Sequence, residues 1–234
     1  MKFSLLATSF CFAAIVACQA AGPEQGMNIP LGTHRLEHQW ELGNHRETLV
    51  LDLKRSARIW SADQRTWVAI SFHHPQLTAK LHESLRSKSA SGYTAIARAG
   101  NTDARLHRVT GISLSLDRNR SVRLRALADI QLHSGHTIRT AQNRAIATEF
   151  TTNMSRGSLT LTPKSFAIAG VGADINRIIT HGLDTAVVAL PNCLTNQDLL
   201  LEDVRFVEAD NRLTITVSLT GSLMSVILTC LRDS

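Results

Sequence analysis

The chain has 234 residues, with 25 Lys and Arg against 19 Asp and Glu, and 44% of its residues are apolar. This length suits one domain with a real hydrophobic core, and the ordinary apolar fraction excludes general disorder, collagen-like repeats and a dense disulfide scaffold. The formal net charge of +6 is modest, and the chain has 1 Tyr. This balance argues against a nucleic-acid partner and favours anionic lipid head groups, another anionic envelope component or an acidic protein.

The N-terminus is typical of an export signal. Lys2 supplies a positive charge, and residues 5–17 form an apolar stretch that is too short to span a bilayer. Residues 15–18 (IVAC) fit a bacterial lipobox in which Cys18 would be acylated, whereas residues 18–20 (CQA) suit a conventional signal peptidase. Both cleavage sites remain open. We predict a signal peptide over 1–20, a tether over 21–30 and a single β-rich domain over 31–234.

The lipobox interpretation predicts a lipoprotein. Residue 19 is Gln, not the Asp that, by resemblance to known lipoproteins, retains a protein at the inner membrane. We therefore expect an exported, periplasmic protein that a lipid anchors to the outer membrane. The alternative is a plainly secreted protein.

Cysteine usage agrees with export. Cys11 would leave with the signal peptide, and Cys18 would be acylated or removed, so Cys193 and Cys230 remain as a pair. In an oxidising compartment two remaining cysteines most simply form one disulfide bond. The sequence has no CxxC motif and no Cys/His set with zinc spacing. We therefore predict neither a metal nor a cofactor.

From residue 31 onward, apolar and polar residues mostly alternate with period two, which is typical of strands that bury one face. Turn residues at 43–44 (GN), 117–121 (DRNRS) and 210–211 (DN) separate several of these segments. The apolar positions of the predicted strands are Leu36, Trp40 and Leu42; Leu49, Leu51 and Leu53; Val68, Ile70 and Phe72; Ile112, Leu114 and Leu116; Leu124, Ala126, Ala128, Ile130 and Leu132; Leu159, Leu161, Phe166 and Ile168; Val204 and Phe206; Leu213, Ile215, Val217 and Leu219; and Val226 and Leu228.

Two segments have the spacing of amphipathic helices. Residues 75–88 place Leu77, Leu81 and Leu85 four positions apart, and residues 174–190 carry a continuous apolar stripe that ends before Pro191. Strands with one apolar face need cover from helices. The sequence therefore predicts an α+β fold, in which a curved antiparallel β-sheet packs on two amphipathic helices.

The order of these elements resembles a known superfamily. A long curved sheet, an amphipathic helix and then the hairpin LLLEDVRFVEADNRLTITVSL at 199–219 resemble the bacterial periplasmic members of the tubular lipid-binding (TULIP-like) superfamily. The resemblance covers about residues 105–230 and depends on element order rather than on a motif. It implies an apolar or anionic lipid held between the sheet and the helix.

Two sets of residues are candidates for contact with such a ligand. The apolar face of the predicted helix over 174–190 would line the groove, through Ile175, Ile178, Ile179 and Val187. A dense basic stretch would bind phosphate or carboxylate near the rim, through Arg118, Arg120, Arg123 and Arg125. The alternatives are an ordinary core helix and a solvated strand face that pairs with nearby aspartates.

Catalytic motifs receive no support. Residues 34–38 (HRLEH) fit the inverted zinc-peptidase pattern, which requires a helix. Leu36, Trp40 and Leu42 alternate as in a strand, so His34 and His38 would share one face while Glu37 points away. No G-x-S-x-G sequence is present. We therefore predict no catalytic residue and rank an envelope hydrolase last.

These features lead to two hypotheses of different classes. The first is a non-enzymatic envelope protein that binds an apolar or anionic lipid-like ligand and is attached to the membrane by a lipid anchor. The second is a protein–protein interaction module, such as an immunity or inhibitor lipoprotein that binds another envelope protein. A lipid carrier requires an apolar cavity of several hundred Å³, whereas an inhibitor requires a packed core and an exposed patch.

Overall fold

The computed structural model describes residues 26–42, 45–155, 157–195 and 197–232. Within these ranges, antiparallel strands form one curved sheet that resembles half of a barrel, and α-helices pack against it. The strands are β1 (Met27–Leu42), β2 (His45–Ala62), β3 (Arg65–His73), β4 (Thr94–Ala99), β5 (Thr102–Leu116), β6 (Ser121–Ser134), β7 (Thr137–Ser155), β8 (Ser158–Ile168), β9 (Ala186–Ala189), β10 (Leu199–Val207) and β11 (Arg212–Leu219), and the helices are α1 (Leu77–Ser84), α2 (Ala173–Gly182) and α3 (Leu223–Arg232).

The strand order is β1-β2-β3-β11-β10-β5-β6-β7-β8-β9, with β4 beside β5. Strands β1–β3 form one meander and β5–β9 another, and the β10–β11 hairpin lies between them. β11 pairs with β3 along its whole length, whereas β10 pairs with β5 only at residues 113–115. The hairpin therefore joins two parts of the sheet that are distant in sequence.

Strand β5 bends at its centre. Its pairing with β6 shifts register twice, between Leu106 and Arg108 and between Thr110 and Ser113, and Gly111 has a φ of +62°. A positive φ strains any residue with a Cβ, so glycine suits this position. The first half of β5 pairs with β4 and the second half with β10. Such bulges increase the local twist and curve the sheet around its concave face.

The hydrophobic core lies on the concave face. On β3, Val68, Ile70 and Phe72 are buried, whereas the residues between them are partly exposed. Alternation of this kind follows from the pleat, which directs successive side chains to opposite faces. It also confirms the period-two pattern that predicts this strand.

Helix α2 covers the last part of β8, which follows the residues of β8 that pair with β9. The Phe166 N–H donates to Thr180 Oγ1 at 2.9 Å, and the Ile168 N–H donates to Asn176 Oδ1 at 3.1 Å. These side chains replace the missing strand partner, since buried backbone N–H groups need an acceptor.

The described residues form three α-helices, whereas the sequence predicts two. The predicted helix over 75–88 is shorter, at Leu77–Ser84, and the one over 174–190 ends at Gly182, because Leu183 is extended and Ala186–Ala189 pair with β8. The terminal segment, predicted as a strand, is helix α3. Its buried residues Val226, Ile227 and Cys230 share one helical side. The α+β class is confirmed, and the number and extent of the helices are corrected.

Several sequence predictions concern the N-terminal region. β1 begins at Met27 and buries Ile29, so it includes the last residues of the segment predicted as a tether. Residues 34–38 lie within β1, as the alternation predicts. The signal peptide, Cys18 and the Gly43-Asn44 turn lie outside the described residues.

In the ranges given above, none of the helices has the length and apolar character needed to cross a membrane.

The predicted disulfide bond is confirmed. Cys193 lies in a 3₁₀ turn at Asn192–Leu194 and is bonded to Cys230 of α3, with both residues buried. The bond therefore joins this turn to the last helix rather than to a last strand. It closes a segment that contains the whole β10–β11 hairpin.

Replacing Cys193 with Ser is expected to lower the free energy of unfolding by about 2–4 kcal/mol, because the unfolded chain gains freedom over a sequence separation of 37 residues. The thermal midpoint should fall by several degrees. Thermal unfolding followed by circular dichroism measures the change. Reductant should destabilise the wild type and leave the variant unaffected. Full reaction of the folded, unreduced wild type with a thiol reagent would contradict the assignment.

A buried carboxylate, paired with an arginine that is itself exposed, holds the irregular part of the second meander. Asp129 is 4% exposed, and its Oδ2 accepts a hydrogen bond from Arg108 Nε at 2.6 Å. Its Oδ1 accepts from the Asn143 N–H at 2.9 Å. Burial raises the pKa of Asp129, but the hydrogen bonds from Asn143 and Arg108 and the charge of Arg108 outweigh it, so the pKa lies below its usual value.

Asp129→Asn is expected to lower the free energy of unfolding by about 1–3 kcal/mol at pH 7, because the buried charge-assisted bond to Arg108 is lost. Because the pKa of Asp129 is lower in the folded chain than in the unfolded chain, ionised Asp129 stabilises the fold at pH values above the unfolded pKa of about 3.9. This contribution is lost as the pH falls through the folded-state pKa. The difference between wild type and variant should therefore shrink below about pH 4. Urea unfolding from pH 2 to 7 tests this, with exposed Asp52→Asn as the control. A difference that is independent of pH would refute the assignment.

Candidate ligand-binding cavity

A cavity of about 450 Å³ lies between the concave face of the sheet and α1. Its lining residues are apolar except for Thr148 and Asp184. Cavities of about 300–1,000 Å³ with few polar groups are typical of sites that bury small ligands. The volume lies in the range of several hundred Å³ that a lipid carrier requires.

The floor of the cavity is a row of residues that face one another across successive strands. Strand pairing brings each member of the row next to the following one: Leu213, Phe206, Leu114, Leu124, Thr148 and Phe166. All six line the cavity. Their side chains share the concave face because paired residues in a ladder point to the same side. The floor thus combines β11 and β10 with β5–β8.

Helix α1 forms one wall. Leu77, Leu81 and Leu85 all line the cavity, at the spacing of four that places them on one side of the chain. The sequence predicts this stripe as the apolar face of a helix but does not assign it to a ligand site. A helix is present at Leu77–Ser84, within the predicted range of 75–88, and Leu85 is the residue directly after its last turn.

Polar contacts fasten α1 to the turn between β10 and β11. The Thr78 N–H donates to Asn211 Oδ1 at 2.9 Å, and the Thr78 hydroxyl donates to the Glu208 carbonyl at 2.7 Å. Glu208 Oε1 lies 2.6 Å from His82 Nε2 and accepts the Ile112 N–H at 2.6 Å. One carboxylate therefore links α1, the turn and β5.

The opposite part of the lining follows α2. Leu183, Asp184 and Ala186 border the cavity there. Asp184 is exposed, and among the described residues of the lining it is the ionisable one. It marks a place where the apolar interior meets solvent.

The helix residues predicted to bind ligand lie elsewhere. Ile175 and Ile179 are buried in the core, whereas Ile178 and Val187 are 40% and 63% exposed. The cavity is lined by other residues. The segment over 174–190 does contribute to it, but through the residues that follow the helix.

The predicted arginines also lie away from the lining. Arg123 and Arg125 alternate with Leu124 and Ala126, which line the cavity, so they point to the convex face. Arg123 Nη2 lies 3.2 Å from Asp117 Oδ2. Arg118 and Arg120 are exposed in the turn between β5 and β6. The structure thus does not bring the four arginines to the wall of the cavity.

Across the described ranges, no group of three or more His, Cys, Asp and Glu side chains is arranged to hold a metal ion. Comparisons with protein-family models, with curated proteins and with solved structures find no match to this chain. The cavity is therefore the feature of this chain that points to a function.

Glu208→Ala is expected to loosen α1, because it removes the acceptor for His82 and for the buried Ile112 N–H. The free energy of unfolding should fall by about 1–3 kcal/mol. Hydrogen exchange of residues 77–84 should accelerate by more than that of β3, since α1 loses one of its attachments. Glu83→Ala, which removes an exposed pair with Lys80, is the matched control. Equal exchange in the two variants would contradict the role of Glu208.

Proposed function

We propose that the chain is a non-enzymatic binding protein of the bacterial cell envelope that holds an apolar or anionic lipid-like ligand in the cavity beneath α1. The observation that carries the proposal is the cavity of about 450 Å³ with its almost entirely apolar lining. A packed core without such a space would favour the interaction module instead.

Physical chemistry supports occupancy by an apolar molecule. The residues around an empty apolar cavity lose dispersion contacts, and water gains few hydrogen bonds there. An acyl chain would restore those contacts and remove its own surface from water. The bound state would therefore be more stable to unfolding than the empty one.

Export and anchoring complete the proposal. The Cys193–Cys230 disulfide bond supports an oxidising compartment such as the periplasm. Acylation of Cys18 and attachment to the outer membrane remain predictions from the sequence, as does the resemblance to tubular lipid-binding proteins.

Native mass spectrometry of the chain, produced with its own leader in a bacterial envelope and exchanged into detergent-free buffer, tests the proposal. We expect adducts of lipid mass that disappear after organic extraction, whereas an acyl group on Cys18 would remain on the denatured chain. An unliganded mass throughout would refute the lipid proposal and favour the interaction module.

Ala126→Phe should abolish these adducts, because Ala126 is 4% exposed and lines the cavity, and a phenyl ring would fill part of its volume. The neighbouring Ala147 is exposed and pairs with Arg125 on the convex face. Ala147→Phe on that face is the matched control and should keep the adducts. Retention of lipid by both variants, at unchanged thermal midpoints, would place the ligand outside the cavity.

A further inference from the structure

The inner face of β2 carries a basic residue beside the cavity. Alternate residues from Leu49 to Ile59 face the core, and Arg55 is the charged member of that series. Leu49 and Leu53 of the same series line the cavity. Arg55 pairs in register with Phe72 of β3, which in turn pairs with Leu213 of the cavity floor. Arg55 therefore extends the row that forms the floor.

The guanidinium of Arg55 is only partly satisfied. Its Nη2 donates to the Leu31 carbonyl at 3.0 Å, while its Nε is buried and has no hydrogen-bond partner among the described residues. Among the described residues, Arg55 forms no ion pair. Arg55 as a whole is partly buried. A buried donor without an acceptor costs free energy, so this position favours an external anion.

His34 lies next to this arginine. It pairs in register with Leu53 and so shares its face, and its ring lies 6.4 Å from that of Phe72 with an edge-on geometry. Burial and then the positive charge of Arg55 lower the pKa of His34 below its usual value. A neutral imidazole at pH 7 retains one N–H that can donate to an anion without adding a second charge.

We propose that Arg55, with His34 beside it, binds the anionic head group of a single-chain amphiphile whose acyl chain fills the apolar cavity. This inference rests on the proposed function and adds the class of ligand and the residue that selects it. Charge complementarity supports it, because an oxyanion would supply the missing partner of the guanidinium, and carboxylates and phosphates both match its donor geometry.

The experiment measures competition against N-phenyl-1-naphthylamine, a neutral apolar fluorophore, on the delipidated mature protein at pH 7.5. The competitors share one dodecyl chain and differ in the head group: dodecanoate, dodecyl phosphate, dodecanol and dodecyltrimethylammonium, each below its micelle concentration. We expect an anionic competitor to displace the fluorophore at about one tenth of the dodecanol concentration, as one charge-assisted hydrogen bond provides. The two anions distinguish a fatty carboxylate from an alkyl phosphate.

Arg55→Gln should abolish the preference for anions over dodecanol. Arg125→Gln, on the convex face of β6, is the matched control and should behave as the wild type. Arg55→Lys keeps the charge and should keep part of the preference, which preserves the test if the Gln variant does not fold. Loss of the preference in Arg125→Gln alone would overturn the inference in favour of the predicted arginine stretch.

The outcomes separate the two proposals. If the fluorophore binds and all four competitors are equivalent, or if the cation competes best through Asp184, the anionic anchor is refuted while the cavity remains a lipid site. If neither the fluorophore nor any competitor binds to the wild type, the proposed function itself is refuted.

Discussion

The position of the β10–β11 hairpin is the constraint on which the rest of the structure depends. It pairs with β3 on one side and with β5 on the other, and so makes one sheet from two meanders. Its inner residues Phe206 and Leu213 lie in the floor of the cavity, and its turn holds α1 through Glu208. Because the β10–β5 pairing spans only residues 113–115, side-chain packing and the Glu208 contacts must stabilise this junction.

The cavity and the β2 face beside it carry two features that each cost free energy in an empty protein. One is an apolar space whose lining lacks contact partners, and the other is the buried Nε of Arg55 without an acceptor. A single amphiphile with an acyl chain and an anionic head group would relieve both. The convex face differs, since Arg123 there already has Asp117 as its partner.

Local pattern predicts part of this fold. Strands with one buried face, such as β3 and β11, are recognisable because apolar residues recur with period two. Strand β7 lacks that signal, since only Ile146 and Thr148 of its residues are buried, and the prediction omits it. In α3, Val226, Leu228 and Cys230 alternate as in a strand, whereas Val226, Ile227 and Cys230 have the spacing of a buried helical side. The short apolar run therefore fits both patterns, and the pattern alone does not distinguish them.

The sequence by itself determined the alternating strands, the disulfide pair and the apolar stripe of α1, because these depend on local spacing and on redox chemistry. The sequence also shows that Arg55 follows Leu49, Leu51 and Leu53 in the same alternation, so that it lies on the same face of the strand. Only the tertiary structure decided that this face borders a cavity, because the register between distant strands and the bulges of β5 set the curvature. Alternation along β6 already sets Arg123 and Arg125 opposite Leu124 and Ala126. Only the tertiary structure shows that the side of Leu124 and Ala126 lines the cavity, which leaves the two arginines on the convex face.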